Sequence, residues 1–365
     1  MKRNYRLILA AFAAFAMAAC RPVTPETPDV PDTPDVPDVP VAGIKGMLVL
    51  NNGNWGSNDA SAAVYDPETQ TVEADVFFKA NGQHLGDLGQ DILVVGDEMY
   101  ISMNGSKLVF VTDMELKLKK TIEVEFEGTK MAPRYLAEHD GKVYVTYYEG
   151  FLGEITPGSY DVRTTAVGSY PEGLCIRNGK AYVANSGYGY DNTISVVDLA
   201  TFREEKKIEV NANPQYVVAN QDGTVLYVCS WDTYDPVTYE VLSPSKLQAV
   251  YLDSGRVLDL QEYYDVKCIV EGPKNLLLIA QGGYDENWQV CGTISMLDMS
   301  FGDRGTFIDD PISNYYSLSC SNGYVFVGAS DYRTNGDVYV YDSLGAYVGK
   351  FDSQGLNPQK VLYLK

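Results

Sequence analysis

The residues of this sequence that are best suited to ligand binding are aromatic and carboxamide residues in its loops. The chain contains 28 tyrosines and 3 tryptophans but only 2 histidines. The candidate ligand-binding residues lie in segments rich in Gly, Asn and Asp between apolar runs, and they are Asn54, Trp55, Tyr147, Tyr188, Tyr190, Asn192, Trp231, Asp232, Tyr234, Tyr284, Trp288, Tyr332 and Arg333. Aromatic rings supply flat apolar surfaces, and the polar groups between them can orient a ligand. The set therefore predicts a binding surface.

Signals for catalysis are weak. His84 and His139 are too few for a histidine-rich metal site, and neither a G-x-S-x-G sequence nor a P-loop occurs. Carboxylates such as Asp232 and Asp235 could act as an acid and base pair. In a chain with a net charge of −21, however, solvated carboxylates are the simpler interpretation. We expect no enzymatic activity, no metal site and no cofactor.

The acidic composition also limits the partners. A net charge of −21 repels phosphate backbones and anionic lipid surfaces. We therefore expect no nucleic-acid partner.

Five cysteines follow the N-terminal segment, namely Cys175, Cys229, Cys268, Cys291 and Cys320. Export permits disulfides, but an odd number leaves at least one thiol free, and no C-x-x-C sequence is present. Four of the five fall in predicted strands. We expect them to be buried, unpaired thiols.

The first 19 residues predict a targeting segment. Lys2, Arg3 and Arg6 form a basic start, and residues 7–17 form an apolar run that is too short to cross a bilayer. The small residues that precede Cys20 resemble a bacterial lipobox. That resemblance implies cleavage before Cys20, lipid on its thiol and amine, and membrane attachment through that lipid.

Residues 20–41 predict a tether. Its prolines recur every third residue, at positions 22, 25, 28, 31, 34, 37 and 40. Polyproline II has three residues per turn, so this segment is expected to form a stiff rod of about 60 Å. The tether would separate the lipid anchor from a folded head, residues 42–365. An acidic stretch after the lipidated cysteine resembles surface-exposed lipoproteins of Bacteroides-type bacteria, although here the acids begin only at Glu26.

A repeated hairpin organises the head. β-branched and aromatic runs alternate with Gly, Asn and Asp turns, and the hairpin recurs at 92–102, 135–146, 174–185, 217–230, 268–280 and 318–329. Dipeptides such as Asn178-Gly179 and Asn322-Gly323 tolerate the positive φ of a tight turn. A third strand and a more polar fourth strand follow each hairpin. Four antiparallel strands at intervals of roughly 40–50 residues predict the blades of a β-propeller.

The two ends of the head complete one further blade. Residues 46–78 supply a second, third and fourth strand, and residues 357–365 supply a first strand with nothing after it. Closure by both termini removes exposed sheet edges. The sequence therefore predicts an all-β fold, a seven-bladed propeller. Loops between second and third strands gather on one face of such a fold, so the candidate ligand-binding residues are expected to share that face.

The combination of lipobox, Pro-Asp tether and blades such as GKAYVANSGYGYDNTISVVDLAT (179–201) resembles the YncE-like propeller lipoproteins of Bacteroides. Among these, the chain is most similar to the BtuG-type cobalamin-binding proteins. The resemblance implies capture of vitamin B12 or a related corrinoid, as a transported ligand, at the cell surface. It also implies transfer to a BtuB-like TonB-dependent transporter in the outer membrane.

Three other functions remain open at this point. A surface glycan-binding protein of a polysaccharide-utilisation system would use the same aromatic rings, which stack on sugars equally well. A protein-binding scaffold would use the same fold. An enzyme, either a propeller lyase or hydrolase or a quinoprotein-like oxidoreductase, is disfavoured by the scarcity of histidine and of metal motifs.

Overall fold

The computed structural model describes residues 44–284 and 290–365. The predicted signal segment, the tether, Cys20 and Trp288 lie outside these residues. Nearly all regular structure is β, and the strands form seven four-stranded antiparallel sheets. The prediction of a seven-bladed propeller is confirmed. Within the described ranges, no helix has both the length and the apolar character needed to span a bilayer.

The described part of the chain begins with three strands of the closing blade and one short helix. These elements are β1 (Gly46–Asn51), β2 (Ser61–Asp66), β3 (Thr71–Glu73) and α1 (Val76–Asn81). Blade 1 comprises β4 (Gly89–Val95), β5 (Glu98–Met103), β6 (Leu108–Asp113) and β7 (Leu118–Ile122), and it is followed by the short pair β8 (Glu125–Phe126) and β9 (Thr129–Lys130). Blade 2 comprises β10 (Pro133–His139), β11 (Lys142–Tyr147), β12 (Phe151–Thr156) and β13 (Asp161–Ala166).

Four more blades follow in the same order of strands. Blade 3 comprises β14 (Pro171–Arg177), β15 (Lys180–Asn185), β16 (Thr193–Asp198) and β17 (Arg203–Glu209). Blade 4 comprises β18 (Pro214–Ala219), β19 (Val225–Ser230), β22 (Lys246–Tyr251) and β23 (Val257–Asp259), with the hairpin β20 (Thr233–Tyr234) and β21 (Val241–Ser243) inserted in its long loop. Blade 5 comprises β24 (Val266–Glu271), β25 (Leu276–Tyr284), β26 (Val290–Asp298) and β27 (Arg304–Ser313). Blade 6 comprises β28 (Tyr315–Ser321), β29 (Tyr324–Ala329), β30 (Asp337–Tyr341) and β31 (Tyr347–Asp352).

The final strand, β32 (Pro358–Leu364), closes the ring. It pairs antiparallel with β1, so that Val361 lies opposite Val49. The closing blade therefore has the order β3-β2-β1-β32, with its innermost strand from the C-terminus and the others from the N-terminus. This is the closure that the sequence predicts.

Burial follows the position of each strand in its blade. The second strands β1 and β5 are buried along their whole length because neighbouring blades cover both of their faces. Aliphatic side chains fill the space between blades. For example, Val111 of β6 shares a buried cluster with Val143 and Val145 of β11. The outermost strand β17 is mostly exposed and carries charged residues.

One predicted strand is partly replaced by the helix α1. The sequence predicts that the fourth strand of the closing blade runs as far as residue 78, whereas β3 ends at Glu73. Phe77 is buried and its ring centroid lies 5.2 Å from that of Phe110. The amide of Asn81 donates to the Leu116 carbonyl at 2.8 Å. The helix therefore brings Phe77 into the core next to blade 1, which an extended segment at the outer edge would not do.

The two faces of the ring differ in their connections. The face that carries the loops between second and third strands, together with the links from one blade to the next, is called the loop face here. The other, called the turn face, carries the first-to-second and third-to-fourth turns. Asn178 and Gly179, with φ of 51° and 69°, form one of the predicted tight turns. The described chain enters at the turn face, where the Ile44 amide donates to the Met114 carbonyl at 3.3 Å.

Candidate ligand-binding site

The loop face has a cavity at the mouth of the central channel, with a volume of about 530 Å³. Four of the predicted site residues line this mouth cavity, namely Trp231, Asp232, Tyr234 and Tyr332. The Trp231 side chain is 40% exposed, and its indole N–H donates to the Lys267 carbonyl at 2.7 Å. Asp232 accepts hydrogen bonds from the Tyr234 hydroxyl at 3.1 Å and from the Ser245 amide at 2.7 Å. These bonds fix the aromatic rings at the entrance.

Other predicted residues lie on the same face but outside this cavity. Tyr188 is the central residue of a short 3-10 turn and Tyr190 follows that turn, and both are largely exposed. Asn192 and Arg333 are exposed as well. Asn54 donates to the Tyr332 carbonyl at 3.3 Å and so connects the closing blade to blade 6. Trp55 is 76% exposed and lines a separate opening.

The position predicted for Tyr147 is wrong. Its side chain is only 1% exposed and belongs to the buried cluster of Val143 and Val145. Alternate residues of a strand share a face, and Tyr147 continues the face of these two valines. The next residue, Tyr148, reaches the loop face instead. Trp288 and the side chain of Tyr284 lie outside the described part of the chain.

A repeated segment at the start of each innermost strand contributes site residues that are not among those predicted from the sequence. The seven segments are Gly89–Ile92, Pro133–Leu136, Pro171–Leu174, Pro214–Val217, Val266–Ile269, Tyr315–Leu318 and Pro358–Val361. In each, the strand register shifts after the first residue. Such β-bulges re-aim side chains. The second residue of each segment is polar, and Gln90, Arg134, Lys267, Tyr316 and Gln359 line the mouth cavity.

A buried ion pair holds two of these polar second residues, Arg134 and Glu172, in place. Arg134 contacts Glu172 through two nitrogens, at 2.8 and 2.6 Å, and also donates to Gln90. The Tyr148 hydroxyl donates to the second Glu172 oxygen at 2.9 Å, and the Arg134 guanidinium lies 4.7 Å from the Tyr148 ring centroid. Burial raises the pKa of the Glu172 carboxyl, while Arg134 and the Tyr148 hydroxyl oppose that rise.

Tyrosines form a constriction in the channel below the mouth cavity. The Tyr135 and Tyr216 hydroxyls, from blades 2 and 4, are 3.3 Å apart and hydrogen-bonded. Blade 3 has Gly173 at the corresponding position, where a Cβ would lie 2.7 Å from the Gln215 carbonyl oxygen. The missing side chain leaves room for the two rings to meet. Burial raises the pKa of both tyrosines, so both are neutral at physiological pH.

A second cavity, of about 430 Å³, lies on the turn-face side of this constriction. Its lining includes Cys175, Cys268 and Cys320, whose thiols are unpaired, and the ion pair of Asp91 with Lys360 at 2.5 Å. Burial raises the pKa of each of the three thiols to about 12, which makes them poor nucleophiles. The expectation of unpaired thiols is confirmed for these three cysteines and for Cys229. The side chain of Cys291 lies outside the described part of the structure.

Among residues 44–284 and 290–365, no group of three or more His, Cys, Asp or Glu side chains is arranged to hold a metal ion. What the mouth cavity combines is exposed aromatic rings with amides and charges that the backbone holds in fixed positions. This arrangement is suited to binding a large ligand by surface contact and hydrogen bonds.

The fold and its loop face define a seven-bladed β-propeller with a candidate ligand site at one mouth of the channel. By sequence, the chain belongs to the family described as "Domain of unknown function (DUF5074)", whose model matches residues 45–245. No curated protein matches the chain.

Solved structures show similarity in fold alone. A quinoprotein alcohol dehydrogenase-like protein from Bacteroides thetaiotaomicron is 16% identical, with a TM-score of 0.61 over 87% of this chain and 78% of that chain. A putative 6-phosphogluconolactonase from Bacteroides uniformis is 13% identical, with a TM-score of 0.59 over 86% of this chain and 98% of that one. The hydrazine synthase of Kuenenia stuttgartiensis is 17% identical, with a TM-score of 0.58 over 75% and 89%.

Proposed function

We propose that the protein is a non-catalytic binding protein that holds cobalamin or a related corrinoid at the mouth cavity. The observation that supports this is the group of Trp231, Tyr234 and Tyr332 at a cavity that amide and charged side chains also line. The choice of a corrinoid as the ligand rests on the sequence resemblance to BtuG-type proteins. The side chains that line the cavity are chemically suited to such a ligand.

A corrin is a large, rigid and mostly apolar disc with amides around its edge. The aromatic rings can cover its apolar surface, and Gln90, Gln359 and Asn52 can exchange hydrogen bonds with its amides. The hydrogen bond to the Lys267 carbonyl holds the Trp231 indole in position. A rigid ligand that meets preformed contacts loses little conformational entropy, and this favours high affinity.

The tyrosine constriction determines how the ligand would enter and leave. Tyr135 and Tyr216 meet across the channel, so the mouth cavity is a cup with an opening on the loop face. We infer that a corrinoid binds and is released through this face, with no hydrolysis or redox step.

The site of chain entry supports an orientation on the cell. Ile44, the first described residue, lies at the turn face, on the opposite side of the ring from the mouth cavity. We propose that Cys20 is lipidated and holds the protein on the outer surface of the outer membrane. The loop face would then point away from the attachment point. The captured corrinoid would pass to a BtuB-like TonB-dependent transporter.

Calorimetric titration of residues 42–365 with cyanocobalamin tests the proposal, because this segment contains every strand of all seven blades. We expect equimolar binding that a Trp231→Ala substitution weakens at least about tenfold, through loss of a large aromatic contact. Tyr347→Ala is the matched control, since Tyr347 is exposed on an outermost strand, remote from the mouth cavity.

Two results would overturn the proposal in different ways. An absence of heat at micromolar concentrations of protein and ligand would reject the corrinoid. Tight binding that Trp231→Ala and Tyr347→Ala leave equally unchanged would keep the ligand but reject the mouth cavity as its site.

A further inference from the structure

A second opening on the loop face is lined by none of the residues that line the mouth cavity. This rim cleft has a volume of about 390 Å³ and lies between the loops of the closing blade, blade 1 and blade 2. Its lining includes the aromatic residues Trp55, Tyr148 and Tyr170 and the polar residues Asn104, Lys107 and Glu149. The two openings are therefore separate sites on one face.

Aromatic rings form one continuous wall of the rim cleft. The Tyr148 and Tyr170 ring centroids are 5.4 Å apart, and the Tyr188 ring extends the row, with its centroid 5.6 Å from that of Tyr170. The Tyr148 hydroxyl is held by Glu172, so the innermost ring of the row has a fixed orientation. The row becomes more exposed outward, from half-buried Tyr148 to Tyr188, which is 75% exposed.

Trp55 is presented by a loop that hydrogen bonds hold in shape. The backbone amide of Gly56 donates to the Asp87 carboxylate at 3.0 Å, and the backbone amide of Asn54 donates to the Asp59 carboxylate at 2.7 Å. Gly105 packs against the same carboxylate so closely that a Cβ there would lie 2.5 Å from an Asp87 oxygen. Because hydrogen bonds already hold this loop in place, a ligand that stacks on the Trp55 indole would cost the loop little conformational entropy.

Polar groups with spare hydrogen-bonding capacity lie beside these rings. One Glu149 oxygen accepts the Ala132 amide at 2.8 Å, and no described residue donates to the other. Lys107 has no ion-pair partner among the described residues, although the chain as a whole is strongly acidic. The rim cleft thus offers a strong acceptor and a strong donor next to flat apolar surfaces.

We propose that the rim cleft is a carbohydrate-binding site, separate from the corrinoid site. A sugar ring has an apolar C–H face that stacks on aromatic rings, and its hydroxyls both donate and accept hydrogen bonds. Trp55 and Tyr170 match the first property, and Lys107 and Glu149 match the second. A purely apolar ligand would leave the ammonium and the carboxylate desolvated without partners.

A glycan array probed with fluorescently labelled residues 42–365 tests this site. We expect the wild-type protein to bind a restricted set of glycans. Trp55→Ala should reduce that signal at least about tenfold, because a stacking platform is lost. Trp231→Ala, which removes the corresponding ring from the mouth cavity, is the matched control and should change the glycan signal less than about twofold. Trp55 is mostly exposed, so its removal should leave the melting temperature of the propeller unchanged.

The two proposals fail in distinguishable ways. Capture of no glycan by the wild-type protein, or equal capture by Trp55→Ala, would overturn the carbohydrate site. The result does not depend on cobalamin binding, which is measured on a different ligand. Conversely, we expect Trp55→Ala to bind cyanocobalamin with a Kd within about twofold of the wild-type value, and a larger loss would show that the two openings act as one site.

Discussion

Phe202 on the turn face and Tyr188 on the loop face both have positive φ, at 53° and 55°, yet their rings have opposite surroundings. Phe202 is 6% exposed, and the Arg163 guanidinium lies 4.4 Å from its ring centroid. Tyr188 is largely exposed, and its ring centroid lies 5.6 Å from that of Tyr170, the next ring of the rim cleft wall. Bulky residues seldom adopt this backbone conformation. At the turn face, the positive φ of Phe202 accompanies a buried ring that packs at the edge of a blade. At the loop face, the positive φ of Tyr188 accompanies a ring that is exposed to solvent.

Buried carboxylates show the same contrast between the two faces. On the turn-face side, Glu154 contacts Lys142 at 2.6 Å and Arg163 at 2.7 Å, and both cations extend outward to solvent. On the loop-face side, Glu172 is paired with Arg134, which is itself largely buried. The first arrangement lowers the pKa of the carboxyl, and the second leaves it raised. Glu154 therefore stabilises a blade, whereas Glu172 holds the wall of a cavity.

Removal of Glu172 should have the largest effect on stability. Glu172→Ala leaves the Arg134 guanidinium buried without its carboxylate, and we expect a loss of about 3–5 kcal/mol in the free energy of unfolding. Urea denaturation at pH 7 measures it. Glu271→Ala is the control, because Glu271 pairs with Arg177 at 3.1 Å but is half exposed, and it should cost about 1 kcal/mol at most. Equal losses in the two variants would contradict the description of Arg134 and Glu172 as a buried pair.

Phe202 and Tyr188 provide the next comparison. Phe202→Ala should lower the free energy of unfolding by about 3 kcal/mol, since it leaves a cavity beside Tyr144 and removes the surface on which Arg163 lies. Tyr188→Ala should change it by no more than about 0.5 kcal/mol, although a ring of similar size is lost. Thermal unfolding of both variants measures the difference. A large loss in Tyr188→Ala would mean that the rim rings support the fold.

The blades could be predicted from the sequence because each is a local unit. Turn dipeptides such as Asn178-Gly179 and alternating apolar runs recur within a few tens of residues, and pairing of the two termini follows from an unmatched strand at each end. The burial of Tyr147 also had a signal, since it continues the alternation of Val143 and Val145.

The constriction of the channel had a weaker signal. The segments that begin Pro133-Arg134-Tyr135 and Pro214-Gln215-Tyr216 are visibly alike, but their tyrosines come from blades that are not neighbours. Their contact depends on the closed ring and on Gly173 in the intervening blade. Such a contact is a property of the assembled ring, and strand patterns alone do not contain it. The same reason explains why the sequence predicts Trp55 as a site residue but not the rim cleft that it lines, which is built from loops of three blades.

The smallest of these effects should depend on pH. The bonds from Arg163 and Lys142 outweigh the cost of burial and lower the pKa of Glu154 below its usual value of 4.5. A carboxyl with a lowered pKa in the folded state adds stability above its unfolded pKa, and this stability is lost as the pH falls through the folded value. Glu154→Gln should therefore cost about 1–2 kcal/mol at pH 7, moderated by the partly exposed cations, and progressively less below about pH 4. Urea denaturation of both proteins across pH 3–7 measures the difference. A cost that stays constant over this range would mean that Glu154 acts through packing and its bond to Tyr144 rather than through its charge.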